Sequence, residues 1–108
     1  MPVQFETQRR KLTAYLSGEI DHHTAEGLRQ TIDRKLLQDK PGVLCLHFGK
    51  VEFMDSSGVG LVMGRYRCLS TYGGKLEICG MSRAIERIMR MSGIEKIAAV
   101  VGERGEKK

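Results

Sequence analysis

Long apolar runs are missing from this sequence. No apolar stretch exceeds six residues, against the ~20 that a helix needs to cross a bilayer. A helical membrane span is therefore excluded. The opening residues, Met1-Pro2-Val3-Gln4-Phe5-Glu6, place no apolar segment behind a basic start. No signal peptide is expected, and the expected location is cytoplasmic. Proline is scarce, with only Pro2 and Pro41. No linker, repeat or low-complexity block divides the chain, so residues 1–108 are expected to form a single domain. Cysteine is scarce too: Cys45, Cys68 and Cys79, at spacings of 23 and 11. An odd count at those spacings supplies neither a disulfide framework nor a CxxC metal pair. Reduced, partly buried thiols are expected. Aromatic residues are limited to three Phe and three Tyr. They form no strip with basic residues on which bases could stack.

What is present is an ordinary globular composition, 41% hydrophobic and 29% charged in 108 residues. A chain of this length buries about two thirds of the surface it exposes when unfolded, enough for one core and not two. The net charge of +5 is spread over Arg9-Arg10-Lys11, Arg83, Arg87 and Arg90, and Lys107-Lys108. Scattered charge of this kind reads as a solvated surface, and direct nucleic-acid binding is not expected.

Hydropathy alternates over residues 3–7 (Val3, Phe5) and 12–17 (Leu12, Ala14, Leu16), which predicts two strands joined through Gln8-Arg9-Arg10. Asp21 is expected to cap a helix with Ala25, Leu28, Ile32 and Leu36 on its inner face. Glu26, Arg29, Asp33 and Arg34 take the wet side, and Pro41-Gly42 stops it. The segment Val43–Phe48 is apolar almost throughout and predicts a central parallel strand buried on both faces. A second helix is expected over residues 56–71, with Val59, Val62, Met63, Tyr66 and Leu69 inward and Gly73-Gly74 after it. Residues 75–79 read as a strand. Ser82 caps a third helix over residues 82–91, with Ile85, Ile88 and Met89 inward and Gly93 at its end. Residues 97–101 form a last strand, and residues 101–108 a frayed tail. The order ββαβαβαβ, with right-handed crossovers, gives an α/β fold built on a mixed sheet.

The loop Phe53-Met54-Asp55-Ser56-Ser57-Gly58-Val59-Gly60 lies at the C-terminal edge of that sheet, where α/β proteins place their working sites. Gly58, Gly60 and Gly64 fall in or near a helix, at a combined cost of about 3 kcal/mol relative to alanine. Close approach of another backbone, inside the fold or from a partner, would offset that cost. Ser56 and Ser57 stand at the helix start, beside unpaired amides and the positive end of the dipole. A phosphate on a hydroxyl there is electrostatically favoured. The plain alternative is that Asp55 or Ser56 serves only as an N-cap.

Other chemistries fit less well. Met54-Asp55-Ser56-Ser57-Gly58 lacks the first glycine of a GxSxG elbow, although His22 or His23 could act as a base. Gly49-Lys50 is followed by Val51, which breaks the P-loop pattern, and Gly58-Val59-Gly60 continues into Leu61-Val62-Met63 where a dinucleotide loop needs glycine. His22, His23 and Glu26 make a poor metal site. Adjacent histidines on a helix point about 100° apart, and two ligands at i and i+4 hold an ion weakly. No metal or cofactor is expected. The turn carrying Asp21 also leaves the C-terminal edge of a strand, which places it beside Ser56.

Gly18-Glu19-Ile20-Asp21-His22-His23-Thr24-Ala25-Glu26, Phe53–Gly60, Gly64-Arg65-Tyr66 and Met91-Ser92-Gly93 together resemble the STAS domain family of anti-sigma factor antagonists, its sporulation anti-sigma-F branch in particular. The resemblance runs from about residue 3 to residue 101. It implies a STAS-type mixed sheet with helices packed on it, and a regulatory binding module in place of an enzyme. The implied partner is an anti-sigma factor that is also a serine kinase. The unphosphorylated antagonist captures that partner and frees the sigma factor. Phosphorylation of the serine after the aspartate, here Ser56, switches it off, and a PP2C-type serine phosphatase restores it. The implied partner surface comprises Asp21, His22, Asp55, Ser56, Ser57, Gly58, Val59 and Gly60, on a chain that is monomeric when free. A STAS module of a general stress-response relay is the nearest rival reading, and a basic nucleic-acid-binding domain and a small hydrolase are more distant ones.

Overall fold

A computed structural model gives the fold, and residues 2–101 are described. The chain runs β1 (Val3–Gln8), β2 (Lys11–Ile20), α1 (Ala25–Asp39), β3 (Val43–Met54), α2 (Ser57–Ser70), β4 (Lys75–Cys79), α3 (Arg83–Met91), a short 3-10 turn (Ile94–Lys96) and β5 (Ala99–Val101). The five strands lie side by side in sequence order. β1 is antiparallel to β2, and every later pairing is parallel. The expected mixed sheet and element order are both present. The expected tail falls outside the described residues from Gly102 onward, and Val101 itself belongs to β5.

Because each crossover steps the same way along the sheet, right-handedness places all three helices on one face. That face is the core. Leu12, Ala14 and Leu16 of β2, Leu44, Leu46 and Phe48 of β3, and Leu76 and Ile78 of β4 are buried against Leu28, Ile32 and Leu36 of α1, Leu61, Val62 and Leu69 of α2, and Ile85 and Met89 of α3. Alanine in place of any of these large side chains would cost about 2–5 kcal/mol. β3 is central as expected, between two parallel neighbours. On its other face Cys45 is buried while His47 keeps partial access to solvent.

β2 and β3 are longer than their hydropathy suggested. Among the described residues β1 accompanies β2 no further than the Ser17 N–H, which donates to the Pro2 carbonyl at 2.9 Å, and β4 pairs with β3 only over Val43–His47. β2 and β3 continue as a pair, from Ser17 opposite Lys50 to Ile20 opposite Met54. Gly18, at φ +81, allows the register shifts in that stretch. The result is a two-stranded ribbon that projects past the rest of the sheet. β5 is shorter than expected because Ile94–Lys96 winds into the 3-10 turn, which buries Ile94.

Three assignments are corrected. Met63 is 36% exposed and faces out, since the inward stripe of α2 is Gly58, Leu61, Val62, Arg65 and Leu69. Asp33 is not a wet-face residue. Its carboxylate takes the guanidinium of Arg65, which is only 3% exposed, with Nε 2.8 Å from Oδ1 and an Nη2 hydrogen bond of 3.3 Å to Oδ2. That fork ties α1 to α2. Asp21 does not cap α1 directly, because Thr24 holds the N-cap position and Asp21 closes the turn ahead of it. By contrast, Ser82 caps α3 as read, its Oγ accepting from the Ile85 N–H at 3.2 Å.

Candidate functional site

The ribbon ends in two turns, and one hydrogen bond holds them together. The Asp55 N–H donates to the Ile20 carbonyl at 3.1 Å, so the last ladder step of β2 and β3 passes straight into both loops. The Asp21 turn therefore stands beside the Asp55-Ser56 turn, as the topology predicts.

Each turn is organised by its aspartate. Asp21 Oδ1 accepts from the backbone N–H of His23 at 2.8 Å and of Thr24 at 3.1 Å. Thr24 returns the contact, its Oγ1 accepting from the Asp21 N–H at 3.0 Å. Partial desolvation pushes the Asp21 pKa up, but the two amides and the neighbouring imidazoles outweigh it, and the net shift is downward. The carboxylate is thus held as an anion. His22 and His23 are exposed, their rings 4.0 Å apart.

In the second turn Asp55 Oδ1 accepts from the Ser57 N–H at 2.8 Å, and the Asp55 carbonyl accepts from the Gly58 N–H at 3.0 Å. Asp55 therefore does the capping. Ser56 occupies the N-cap position of α2, yet its side chain makes no cap hydrogen bond, and the residue is exposed. Ser57 and Val59 are half-buried, Gly58 is buried and Gly60 is exposed.

The glycines divide. A Cβ on Gly58 would lie 2.2 Å from Met54 Sδ, while one on Gly60 or Gly64 would meet nothing within 4 Å. The cost of Gly58 is thus offset inside the fold, where the residue lies buried under the turn. Gly60 remains open at the surface. Phe53, 52% exposed near the end of β3, was not on the expected partner surface. A large apolar side chain beside a polar turn is the sequence signal that could have found it.

The structure thus brings Asp21, His22, Asp55, Ser56, Ser57, Val59 and Gly60 to one end of the molecule, with Gly58 beneath. A hydroxyl that faces water and caps nothing can be modified without taking a bond from the fold. Among the described residues no group of three or more His, Cys, Asp and Glu could hold a metal ion. Among the same residues no helix is long and apolar enough to cross a membrane.

Comparison with known proteins bears on this arrangement. The STAS domain model matches residues 2–104. An anti-sigma F factor antagonist from Paenibacillus polymyxa is 33% identical over 100 residues, covering 93% of this chain and 86% of the relative. The structure of the anti-sigma factor antagonist SpoIIAA in its unphosphorylated form superposes with a TM-score of 0.79 at 31% identity, over 98% of this chain and 99% of that one. The structure of the Bacillus cell fate determinant SpoIIAA in the phosphorylated form superposes with a TM-score of 0.73 at 32% identity, over 95% and 94%.

Proposed function

Because the chain belongs to the STAS domain family, we propose that it acts as an anti-sigma factor antagonist whose affinity for its partner is set by phosphate on Ser56. The carrying observation is the exposed Ser56 hydroxyl at the tip of α2, free of any capping duty. The similarity to SpoIIAA, a protein with both an unphosphorylated and a phosphorylated structure, supports the same reading.

The partner is an anti-sigma factor with serine kinase activity, and it docks on the end of the ribbon. Asp21, His22, Asp55, Ser56, Ser57, Val59 and Gly60 form the contact surface, with Phe53 as its apolar neighbour. The open space over Gly60 admits partner backbone. The unphosphorylated chain sequesters the kinase, and the sigma factor is released. The chain itself performs no catalysis.

Phosphorylation acts by electrostatics. A phosphoserine adds nearly two negative charges. The sequence predicts that free amides at the helix start favour a phosphate, but Asp55 already occupies the Ser57 amide and Asp21 lies in the adjoining turn, so the phosphate joins two carboxylates. It stays in solvent, and a docking partner would have to strip its water. A penalty of about 3–4 kcal/mol weakens binding several hundredfold. A PP2C-type serine phosphatase removes the group. The free chain is a monomer, and it works in the cytoplasm.

The test mixes the chain with its cognate anti-sigma kinase and ATP and maps the modified residue by mass spectrometry. Phosphate is expected on Ser56. Ser56→Ala should bind the kinase and resist labelling, and Ser56→Asp should fold normally and bind poorly. Label that persists in Ser56→Ala would move the site to Ser57, and undiminished binding by Ser56→Asp would remove the charge mechanism.

A further inference from the structure

The sheet face that the helices leave open carries a thiol pair. Cys45 on β3 alternates with Leu44 and Leu46, so it points away from the helices. Cys79 on β4 stands opposite His47, two residues beyond Cys45 and on the same face. The two cysteines are thus diagonal neighbours on adjacent parallel strands. Their sulfurs are 3.1 Å apart, about 1 Å more than the ~2.05 Å of a disulfide. An ion pair lies over them: Lys11 of β2 reaches across β3 to Glu77 of β4, Nζ to Oε1 at 2.9 Å. Nothing in the switch proposed above uses these residues, and the inference stands independently of it.

We propose that Cys45 and Cys79 are an oxidisable pair that closes to a reversible disulfide between β3 and β4 on reaction with a hydroperoxide. In the first step one sulfur, as thiolate, attacks a peroxide oxygen. An S–O bond forms, the O–O bond breaks, and the departing hydroxide takes a proton to become water. The second sulfur then attacks the sulfenic sulfur, the S–S bond forms, and the S–O bond breaks with loss of a second water. Two thiols lose two electrons and two protons, and hydrogen peroxide is reduced to two waters.

The geometry assigns the order. Cys45 is 2% exposed and Cys79 is 8% exposed, so oxidant reaches Cys79 first. The hydrogen bond to Cys79 and burial both push the Cys45 thiol far up, which keeps its proton in place until the sulfenic acid is beside it. Geometry also makes the bond reversible. Cys79 is the more exposed end of the pair, and a disulfide that a reductant can reach is among the readily reduced ones. Cys68 takes no part. It lies on α2, where its thiol reaches Asp33 at 3.7 Å.

The test treats the folded chain with hydrogen peroxide, blocks remaining thiols with iodoacetamide, and maps peptides without reduction. The expected product is a Cys45–Cys79 linked peptide, lighter by two hydrogens and lost on adding dithiothreitol, with Cys68 alkylated. Cys45→Ser should convert Cys79 into a sulfenic acid that dimedone traps. Should that variant fail to fold, the wild-type map still decides. Both thiols fully alkylated after peroxide and subsequent unfolding would overturn the proposal. So would a linked peptide that forms only in urea, or a dimer joined through Cys68.

Discussion

Gly58 and Gly60 stand two residues apart at the start of α2 and meet different surroundings. Met54 fills the space over Gly58, so Gly58→Ala is expected to cost about 1–3 kcal/mol through overpacking. Part of that loss should vanish when Met54 is also alanine, and a double-mutant cycle on chemical denaturation would read a coupling between the two sites. The Asp21 carboxylate offers a second measurement. Its folded pKa is lowered by the amides it accepts. Its contribution to stability is therefore fully present above the ordinary carboxylate pKa and is lost as pH falls through the lower folded value. An NMR titration should give Asp21 a midpoint below its ordinary value of 3.8, and Thr24→Val should move that midpoint back only slightly, since the backbone donors remain.

At the scale of elements, α2 carries helix-weakening glycines where the fold does not need them. Gly64→Ala adds a side chain to empty space and should stabilise the chain by roughly 0.5–1 kcal/mol. Gly60→Ala should stabilise it similarly, yet weaken capture of the kinase if docking relies on that bare backbone. Thermal melts and a binding titration on the same two proteins separate these effects. Elements held by local chemistry were legible in the sequence. α3 was read correctly because Ser82, Ile85, Met89 and Gly93 lie within one short stretch. What depends on distant partners was not. Arg65 reads as a surface charge until Asp33, on another helix, is found opposite it. With Arg65 placed inward, Met63 has to rotate outward. The ends of β2 and β3 were hidden by Gly18, Glu19 and Lys50, polar or flexible residues that form a strand because each is paired across the ribbon. Of the site, the aspartate-serine turn and its proximity to Asp21 were legible. The inward role of Gly58 was not, since it rests on where the Met54 side chain lies.

On the scale of the whole molecule, the helix layer is cross-linked by one charged fork. Asp33→Ala would leave Arg65 buried without its anion, and a loss approaching about 3 kcal/mol is expected. The effect is moderated because Asp33 keeps some contact with water. The clamp lies near the middle of α1 and α2, away from the turns. Under the proposed switch, phosphorylation of Ser56 in the Asp33→Ala chain should thus proceed at the wild-type rate at temperatures where the chain is folded. A matching loss of modification would tie the clamp to positioning α2 for the kinase. Denaturant unfolding monitored by circular dichroism, beside a phosphorylation time course, distinguishes the two.

The ribbon formed by Ser17–Ile20 and Lys50–Met54 has a thermal consequence. Past the Ser17 N–H, which donates to the Pro2 carbonyl, no third strand flanks it among the described residues, so its amides are held by a single ladder, whereas Leu44–Leu46 lie between two. Local opening there costs less than opening the sheet, so deuterium should enter the ribbon well before the centre. A bound partner would supply the missing reinforcement and slow that entry. The tip of the molecule would then act as its own reporter, stiffening when occupied while the layer of helices behind it stays unchanged.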